Sequence, residues 1–381
     1  MSGGPLRVLH VIEAMDQGGA ESLVVEHARH AGPGIEVLVC ALNRGGSALE
    51  AARAAGARVS VLSGRGRLDR VLRLARFMRD ERVAVVNGHN PTGGLVAALA
   101  ARRAGLRAVV RTEHSLHYPG RHSRFYPLLE RAATALTRRV LCVCETVRES
   151  HASRFPRAAR RFVTVRNGVS ATVAAQPRTA VRAALGLGPE ERVAVTVGSL
   201  TPQKAQHVLL EAFARVGADL PASRLLIVGE GPLRSTLEAR RDALGLSERV
   251  WFLGAREDVG DLLAAADVFT LSSRREGLPV TLLEAMRAGC ASVVTRAGGC
   301  AEAVTEGITG RLVPVDDAPA LGVAVAGLLA DPEGCARMGR EACVRWAREF
   351  TAERMVEETE AVYAEALGEA GGGRTGAGAR G

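Results

Sequence analysis

Residues 266–289 read ADVFTLSSRREGLPVTLLEAMRAG and carry the strand, loop and helix signals that define the fold. The segment 266–273 is short, apolar and β-branched, which is typical of a buried strand. A helix is predicted from Pro279 onward and ends before a glycine. Open α/β sheets bind ligands at the carboxyl ends of their strands. We therefore expect Glu276 in a ligand-binding loop, with Glu284 facing the same crevice from the helix.

The same alternation of strand and helix signals runs through the whole chain. Apolar runs that predict strands in the first half lie at 7–12, 35–41, 57–62, 83–87, 107–111, 139–143 and 162–165. A second series lies at 192–197, 224–228, 249–253, 267–271, 291–295 and 310–313. Helical patterns between strands are typical of a parallel sheet covered on both faces. The predicted class is α/β, with two tandem doubly wound Rossmann-like domains facing a cleft.

Changes in pattern give the expected domain boundaries. The regular alternation lapses into Asn-Gly, small residues and Gly-Leu-Gly-Pro in the middle of the chain, which is typical of a linker. The end of the chain is rich in Gly, Ala and Arg and too poor in apolar residues to pack. The expected segments are an N-terminal domain at 1–170, a linker at 171–190, a C-terminal domain at 191–350, a last helix at 351–368 and a disordered tail at 369–381.

Composition narrows the function classes. The chain has 381 residues, 47% of them hydrophobic, and no apolar run approaches the roughly 20 residues of a membrane helix. We see no signal peptide pattern at the start, so we expect a cytoplasmic protein. The seven cysteines are scattered and have no metal spacing, which favours reduced, mostly buried thiols.

The net charge of +9 comes from an excess of arginine in the first 170 residues. Aromatic residues are only 3% of the chain, and no nucleic-acid-binding module is visible, so a nucleic acid partner is not expected. One predicted helix carries a basic row of Arg67, Arg70, Arg73, Arg76 and Arg79 beside apolar positions. Such a helix favours either peripheral contact with an anionic membrane or an ordinary surface position.

Lys204 is the only lysine of the chain. It follows a strand that ends at Gly198-Ser199 and stands near the start of a helix, where free N–H groups favour an anion. A compact ammonium group meets a phosphate as a point charge. The alternative is a solvated helix residue.

Other strand ends also carry residues suited to binding. In the C-terminal domain these are Gly229, Gly231, Gly254 and Arg256, and in the N-terminal domain they are Gly18, Gly19 and His114. Glycines there permit close approach to the main chain, although they also serve the turns themselves. His114 is able to donate a hydrogen bond to a sugar hydroxyl, and His89 is a weaker candidate of the same kind. The alternative is that these histidines are structural and make their hydrogen bonds within the protein. The turn after the first predicted strand, with Gly18 and Gly19, does not carry Gly-x-Gly-x-x-Gly, and the chain has no P-loop pattern, which argues against dinucleotide and P-loop sites.

In their order and spacing, these motifs resemble the retaining nucleotide-sugar glycosyltransferases of family 4, which have the GT-B fold. The resemblance covers nearly the whole chain: Gly18-Gly19, the His114 strand end, Asn167-Gly168-Val169, VGSLxxxK at 197–204, VGEGP at 228–232, FLG at 252–254 and EGLPxxxxE at 276–284. It implies that the C-terminal domain binds the nucleotide diphosphate sugar and the N-terminal domain the acceptor. It also implies that the last helix crosses back to the N-terminal domain.

The resemblance implies a role for each site residue. Lys204 would neutralise the diphosphate, and Glu284 would bind the ribose hydroxyls. Glu276 would hold the transferred sugar together with the main chain of Gly277 and Leu278. The remaining roles concern the N-terminal domain: His114 would reach the sugar, and Gly18 and Gly19 would lie beside the diphosphate or the acceptor.

The chain departs from the family pattern at two places. Many members have Gly-Arg where this chain has Gly198-Ser199, so one cation on the diphosphate is missing unless Arg274, Arg275 or a first-domain arginine replaces it. Leu-Pro stands where many members have Phe-Gly. No Asp-x-Asp is placed to hold Mg²⁺, so we expect no metal or other cofactor. A nucleotide-sugar epimerase or hydrolase is the alternative activity, and a member that only binds is a third.

Overall fold

The computed structural model describes residues 4–16, 18–62, 64, 66–116, 126–171 and 174–372. The chain forms two compact units. Unit 1 comprises Met1–Ser170 together with Ala352–Gly381, and unit 2 comprises Ala171–Thr351. Each is an α/β unit built on a parallel sheet, as the alternating sequence pattern predicts.

Unit 1 contains a seven-stranded parallel sheet in the order β3-β2-β1-β4-β5-β6-β7. Its strands are β1 Leu6–Met15, β2 Ile35–Gly45, β3 Arg58–Val61, β4 Val85–His89, β5 Val109–Glu113, β6 Arg139–Cys142 and β7 Phe162–Thr164. Its helices are α1 Gly19–His30, α2 Ser47–Ala54, α3 Arg67–Asp80, α4 Asn90–Ala104, α5 Tyr126–Leu136, α6 Glu145–Ala152 and a 3₁₀ helix Pro156–Arg161. β4 and β5 are buried along their whole length, because helices cover both faces of a parallel sheet.

Unit 2 contains a six-stranded parallel sheet in the order β10-β9-β8-β11-β12-β13. Its strands are β8 Arg192–Val197, β9 Ser223–Val228, β10 Val250–Gly254, β11 Val268–Leu271, β12 Ala291–Thr295 and β13 Gly310–Val313. Its helices are α7 Arg178–Ala184, α8 Gln206–Asp219, α9 Arg234–Ala243, α10 Val259–Ala265, α11 Val280–Arg287, α12 Cys300–Ala303, α13 Ala318–Ala330 and α14 Pro332–Glu349. Phe213 of α8 and Leu321 of α13 are fully buried in its core.

The segment expected to be a linker is folded over part of its length, contrary to the sequence pattern. Helix α7 begins after Pro177 and packs on α10, with Val181 buried. The Arg182 guanidinium donates to the carbonyl oxygens of Ala265 at 3.2 Å and Gly188 at 2.8 Å. Small residues favour helix as well as loop, so composition alone did not reveal this contact.

The last helix, α15 (Ala352–Gly372), belongs to unit 1. Its Tyr363 is fully buried and accepts a hydrogen bond from Asn87 of β4 at 2.8 Å. Its Glu360 accepts another from the main-chain N–H of Gly32 at 3.0 Å. The helix runs to Gly372, beyond the expected start of the disordered tail, and residues 373–381 lie outside the described residues.

Candidate functional site

The main candidate site lies where the strand order of unit 2 reverses. β8 and β11 are hydrogen-bonded neighbours, although β9 and β10 separate them in the chain. Lys204 follows β8, and Glu276 follows β11. Their Nζ and Oε1 atoms are 2.6 Å apart, and the two side chains are only 18% and 7% exposed. The reversal point of an open α/β sheet is its usual ligand site, and here it holds a shielded ion pair.

Hydrogen bonds between the two loops hold the ion pair in place. The Ser272 hydroxyl contacts the carbonyl oxygens of Lys204 at 2.9 Å and Ala205 at 3.0 Å. The side-chain amide of Gln203 donates to the Arg275 carbonyl at 2.9 Å. The main-chain N–H of Arg274 donates to the Gln203 carbonyl at 2.8 Å. The lysine loop and the glutamate loop therefore form one connected element.

The glycine-marked strand ends of β8, β9 and β10 lie side by side beside this pair. The Gly229 N–H donates to the Gly254 carbonyl at 2.7 Å, and the Gly198 N–H donates to the Val228 carbonyl at 2.9 Å. A Cβ atom on Gly229 would lie 2.2 Å from the Gly198 carbonyl oxygen. The three loops thus pack backbone against backbone, which no larger residue at position 229 permits. A Cβ atom on Gly231 would lie 2.5 Å from the Leu200 carbonyl oxygen.

The segment after Glu276 is also held by glycines, and sequence reasoning missed these. Gly277 and Leu278 are buried, and the N–H of Gly299 donates to the Gly277 carbonyl at 2.6 Å. Gly298 has φ +52°, and a Cβ there would lie 1.9 Å from the Glu276 carbonyl oxygen. Gly298-Gly299 follows β12, so a glycine pair at a strand end was the available signal.

The remaining donor-side candidates are placed less closely together. Glu284 is half-buried in α11. The Arg256 guanidinium is engaged by Asp258, with N–O distances of 2.8 and 2.6 Å, and this hydrogen bonding lowers the pKa of the Asp258 carboxyl. Ser199 is exposed. Arg274, considered as a substitute cation, is paired with Asp316 at 2.7 Å.

The arrangement is suited to an anionic ligand. Helix α8 begins at Gln206, two residues after Lys204, so the free N–H groups of its first turn follow the lysine directly in the chain. Helix α11 begins just after the Glu276 loop. Helix N-termini and an ammonium group together favour a phosphate group.

The candidates of unit 1 lie at its own carboxyl edge. Gly18 precedes α1 and Gly19 is its first residue, and both are exposed. His114 directly follows β5, and its Nε2 lies 2.8 Å from Nδ1 of His89 at the end of β4. His89 in turn places its Nε2 2.8 Å from Nδ1 of His10 on β1. Sequence reasoning missed His10, because a histidine inside a strand carries no local signal of a contact between strands.

Burial keeps this chain of histidines uncharged. It lowers the pKa of His114 to about 4, and burial together with the neighbouring histidines lowers the pKa values of His10 and His89 well below their usual value. The three rings line a small cavity of about 40 Å³ together with Asn87 and Thr112. His114 is thus suited to hydrogen bonding as a neutral ring.

Three further properties concern the described parts of the chain. Within them, no group of three or more His, Cys, Asp or Glu side chains is arranged to hold a metal ion. No helix among the described residues is both long and apolar enough to cross a membrane. The seven cysteines are free thiols, six of them buried, in agreement with the sequence interpretation.

Two family models match successive parts of the chain. The model of Glycosyltransferase Family 4 matches residues 17–173, and the model of Glycosyl transferases group 1 matches residues 177–344. The first match covers most of the N-terminal segment of unit 1 and ends three residues past its boundary, and the second lies within unit 2. The second includes every donor-side candidate, from Gly198 to Glu284.

Curated relatives carry glycosyltransferase names. The chain is 35% identical over 258 residues to a GDP-mannose-dependent α-(1-6)-phosphatidylinositol monomannoside mannosyltransferase of Mycolicibacterium smegmatis, covering 63% of this chain and 65% of that protein. It is 28% identical over 257 residues to a UDP-Gal:α-D-GlcNAc-diphosphoundecaprenol α-1,3-galactosyltransferase of Escherichia coli, covering 65% of this chain and 66% of that protein. The chain thus spans just under two thirds of each relative. The matches give no support to the epimerase or hydrolase alternative.

Solved structures share the fold over nearly the whole chain. The crystal structure of Anabaena HepE in complex with UDP-glucose aligns with a TM-score of 0.83 and 22% identity, covering 96% of this chain and all of that one. WaaG, a glycosyltransferase involved in lipopolysaccharide biosynthesis, aligns with a TM-score of 0.73 and 18% identity over 94% of this chain. With two parallel-sheet units and both family models matched in order, the chain belongs to the glycosyltransferases of family 4, enzymes with the GT-B fold.

Proposed function

We propose that this enzyme transfers a hexosyl group from a nucleotide diphosphate sugar to a glycan, lipid-linked or small-molecule acceptor, with retention of configuration. The observation that carries the proposal is the shielded Lys204–Glu276 ion pair at the reversal point of the unit 2 sheet. HepE, which has the same fold, was crystallised with UDP-glucose. The M. smegmatis and E. coli relatives are named for acceptors that are lipids or lipid-linked.

We propose that the loops of unit 2 make the contacts to the donor. Lys204 neutralises the diphosphate beside the α8 N-terminus. Glu284 on α11 accepts hydrogen bonds from the ribose hydroxyls, and Glu276 with the main chain of Gly277 and Leu278 holds the transferred sugar. Negative charge that develops on the leaving diphosphate then meets preorganised N–H groups and an ammonium, so we propose that transfer needs no metal ion.

For unit 1 we propose roles for three residues. His114 is neutral and hydrogen-bonds a hydroxyl of the transferred sugar. Gly18 and Gly19, exposed at the start of α1, lie beside the diphosphate or the acceptor. Polysaccharide or glycolipid biosynthesis in the cytoplasm is the process that such donors and acceptors imply.

A thermal-shift panel of UDP, GDP, ADP and their sugars is expected to identify the donor. A ligand at about 100 times its dissociation constant adds about 2.7 kcal/mol, which corresponds to roughly 5–10 °C for a domain of this size. Glu284→Ala should weaken every ligand that contains the ribose by roughly 10–100-fold, since hydrogen bonds to a carboxylate are lost.

The matched control is Glu333→Ala, which changes an exposed glutamate in the first turn of another helix of the same unit. It should leave all shifts unchanged. Shifts that survive in EDTA support metal-free binding. Stabilisation by none of the nucleotides, or release of free sugar without an acceptor, would refute transfer from a nucleotide sugar.

We further propose that α3 contacts an anionic membrane surface and brings the enzyme to a lipid-linked acceptor. Two leucines on this helix are exposed, Leu68 at 72% and Leu72 at 47%. Exposed arginines lie on the same helix at positions 67, 73, 76 and 79, and Arg73 pairs with Asp69 at 3.0 Å. The helix packs on unit 1 through the buried side chains of Leu74 and Met78. The exposed leucines are therefore apolar residues that this packing does not use. Exposed leucines among arginines are typical of peripheral membrane contact.

Co-sedimentation with phosphatidylcholine vesicles that contain increasing phosphatidylglycerol tests this contact. The double variant Leu68→Glu/Leu72→Glu should bind at least about tenfold more weakly, since each inserted leucine contributes on the order of 1.5 kcal/mol. Val323→Glu, which changes an exposed apolar residue of unit 2, should bind like the unmodified protein. Binding independent of phosphatidylglycerol content would contradict the proposal.

A further inference from the structure

The register of three neighbouring strands places His10, His89 and His114 in a diagonal row. His10 on β1 is opposite Asn87 on β4, and His89 lies two residues further along β4. His89 is in turn opposite Thr112 on β5, and His114 lies two residues beyond it. Successive steps of two residues keep side chains on the same face of a sheet. The rings therefore follow one another across the sheet toward its carboxyl edge.

Two hydrogen bonds join the three rings of this row. Nδ1 of His10 meets Nε2 of His89, and Nδ1 of His89 meets Nε2 of His114, both at 2.8 Å. The rings are also stacked, with centroids 5.1 Å apart at each step. The end atoms, Nε2 of His10 and Nδ1 of His114, are buried and have no hydrogen-bond partner among the described residues.

Proton counting leaves this chain only two neutral states. A neutral imidazole has one N–H and one acceptor nitrogen. If His89 carries its proton on Nε2, it donates to His10 and accepts from His114, so all three rings are protonated on Nε2. If His89 carries its proton on Nδ1, both hydrogen bonds reverse and all three rings are protonated on Nδ1. The three rings therefore share one tautomer. Nδ1 of His114 is a hydrogen-bond acceptor when the rings are protonated on Nε2, and a donor when they are protonated on Nδ1.

The surroundings of the three histidines keep their rings neutral and hold them in place. Burial lowers the pKa of each histidine, so protonated rings do not interrupt the two states at neutral pH. Two residues that line the same cavity belong to a second hydrogen-bonded row: Thr112 donates to Asn87 at 3.0 Å, and Asn87 donates to Tyr363 of α15 at 2.8 Å. His27 of α1 lies against His10, with ring centroids 4.8 Å apart.

We propose that His89 and His10 are positioning residues that fix one shared tautomer with His114, and so decide whether Nδ1 of His114 donates or accepts a hydrogen bond at the transferred sugar. This role rests on the proposed function in assigning the sugar contact to His114. The coupling among the three rings does not depend on that assignment, because it follows from contacts within unit 1. A sugar hydroxyl can satisfy either state, but an oxygen that only accepts is recognised by one of them.

The direct test is ¹⁵N spectroscopy of the histidine side chains in the ligand-free protein, with resonances assigned by through-bond correlation. The three rings are expected to show the same tautomer or the same tautomer ratio. In His89→Phe, the tautomers of His10 and His114 should no longer agree. Different tautomers in the three rings of the unmodified protein would overturn the coupling, whatever the enzyme transfers, and that comparison does not depend on the folding of any variant.

The kinetic test separates positioning from support of the fold. His89→Phe should lower kcat about tenfold, the equivalent of one hydrogen bond in the transition state, with little change in donor KM. His89→Gln, whose amide both donates and accepts, should retain more activity. Thr112→Val is the matched control, since it removes a buried hydrogen bond beside the same cavity and leaves the chain of rings intact. An equal loss of kcat in Thr112→Val and His89→Phe would overturn the positioning role. Absence of any transfer by the unmodified enzyme would instead count against the proposed function.

Discussion

Lys204→Ala is expected to lower the apparent unfolding temperature of unit 2 by roughly 6–20 °C, because removing one partner of a buried ion pair costs about 3–5 kcal/mol. The cost arises at Glu276, whose side chain is only 7% exposed and would lose its cation. The same variant should bind nucleotide diphosphate sugars at least about tenfold more weakly, since a charge-assisted contact to phosphate is lost. The bare nucleoside should lose much less affinity.

Two matched variants separate stability from binding. In Lys204→Met/Glu276→Gln both charges are gone, so the unfolding temperature should recover while binding of the diphosphate sugar stays weak. Arg274→Ala breaks the exposed ion pair with Asp316 at the same edge of the sheet, and it should change stability by about 1 kcal/mol or less. Calorimetry with the nucleoside and the diphosphate sugar is the binding measurement. Equal losses for both ligands in Lys204→Ala would contradict a diphosphate role for this residue.

The fold could be predicted from the sequence, because a parallel sheet covered on both faces produces a strong hydrophobic pattern in the sequence. Its strands are continuous apolar runs separated by helical periodicity, and every such run that was expected to be a strand is one. The linker was the exception. α7 is short and made largely of small residues, and it is held by the Arg182 contacts to backbone carbonyls, which no local pattern reveals.

Only part of the candidate site could be predicted from the sequence. Strand ends marked by glycine and charge identified the Lys204 and Glu276 loops separately, and the pairing of β8 with β11 brings them into contact across 72 positions of the chain. The histidine row depends on the registers of β1, β4 and β5, which are set by side-chain packing of the whole sheet. A sequence read one segment at a time contains no information on register between distant strands.

Gly298→Ala is expected to damage the donor site, because the added methyl group meets the main chain of the Glu276 loop. Position 298 has φ +52°, a region that costs an L-residue on the order of 1–2 kcal/mol. The new Cβ would also lie 1.9 Å from the Glu276 carbonyl oxygen and 2.8 Å from its carbonyl carbon. Both contacts are to backbone, so the main chain that carries Glu276 and Gly277 must move.

Such a shift should reach the sugar contacts directly. Displacement of a positioned group by about 1 Å can cost about 100-fold in rate, so kcat/KM is expected to fall by about that factor. Gly245→Ala is the control: it has φ +68° but no atom within 4 Å of the added Cβ, so it incurs the conformational cost without the collision. It should lose stability and keep its donor affinity. Both substitutions add one methyl group at positive φ, but only the one at position 298 produces a collision. If the two variants had the same kcat/KM, the close contact at Gly298 would not be what holds the Glu276 loop in its binding position.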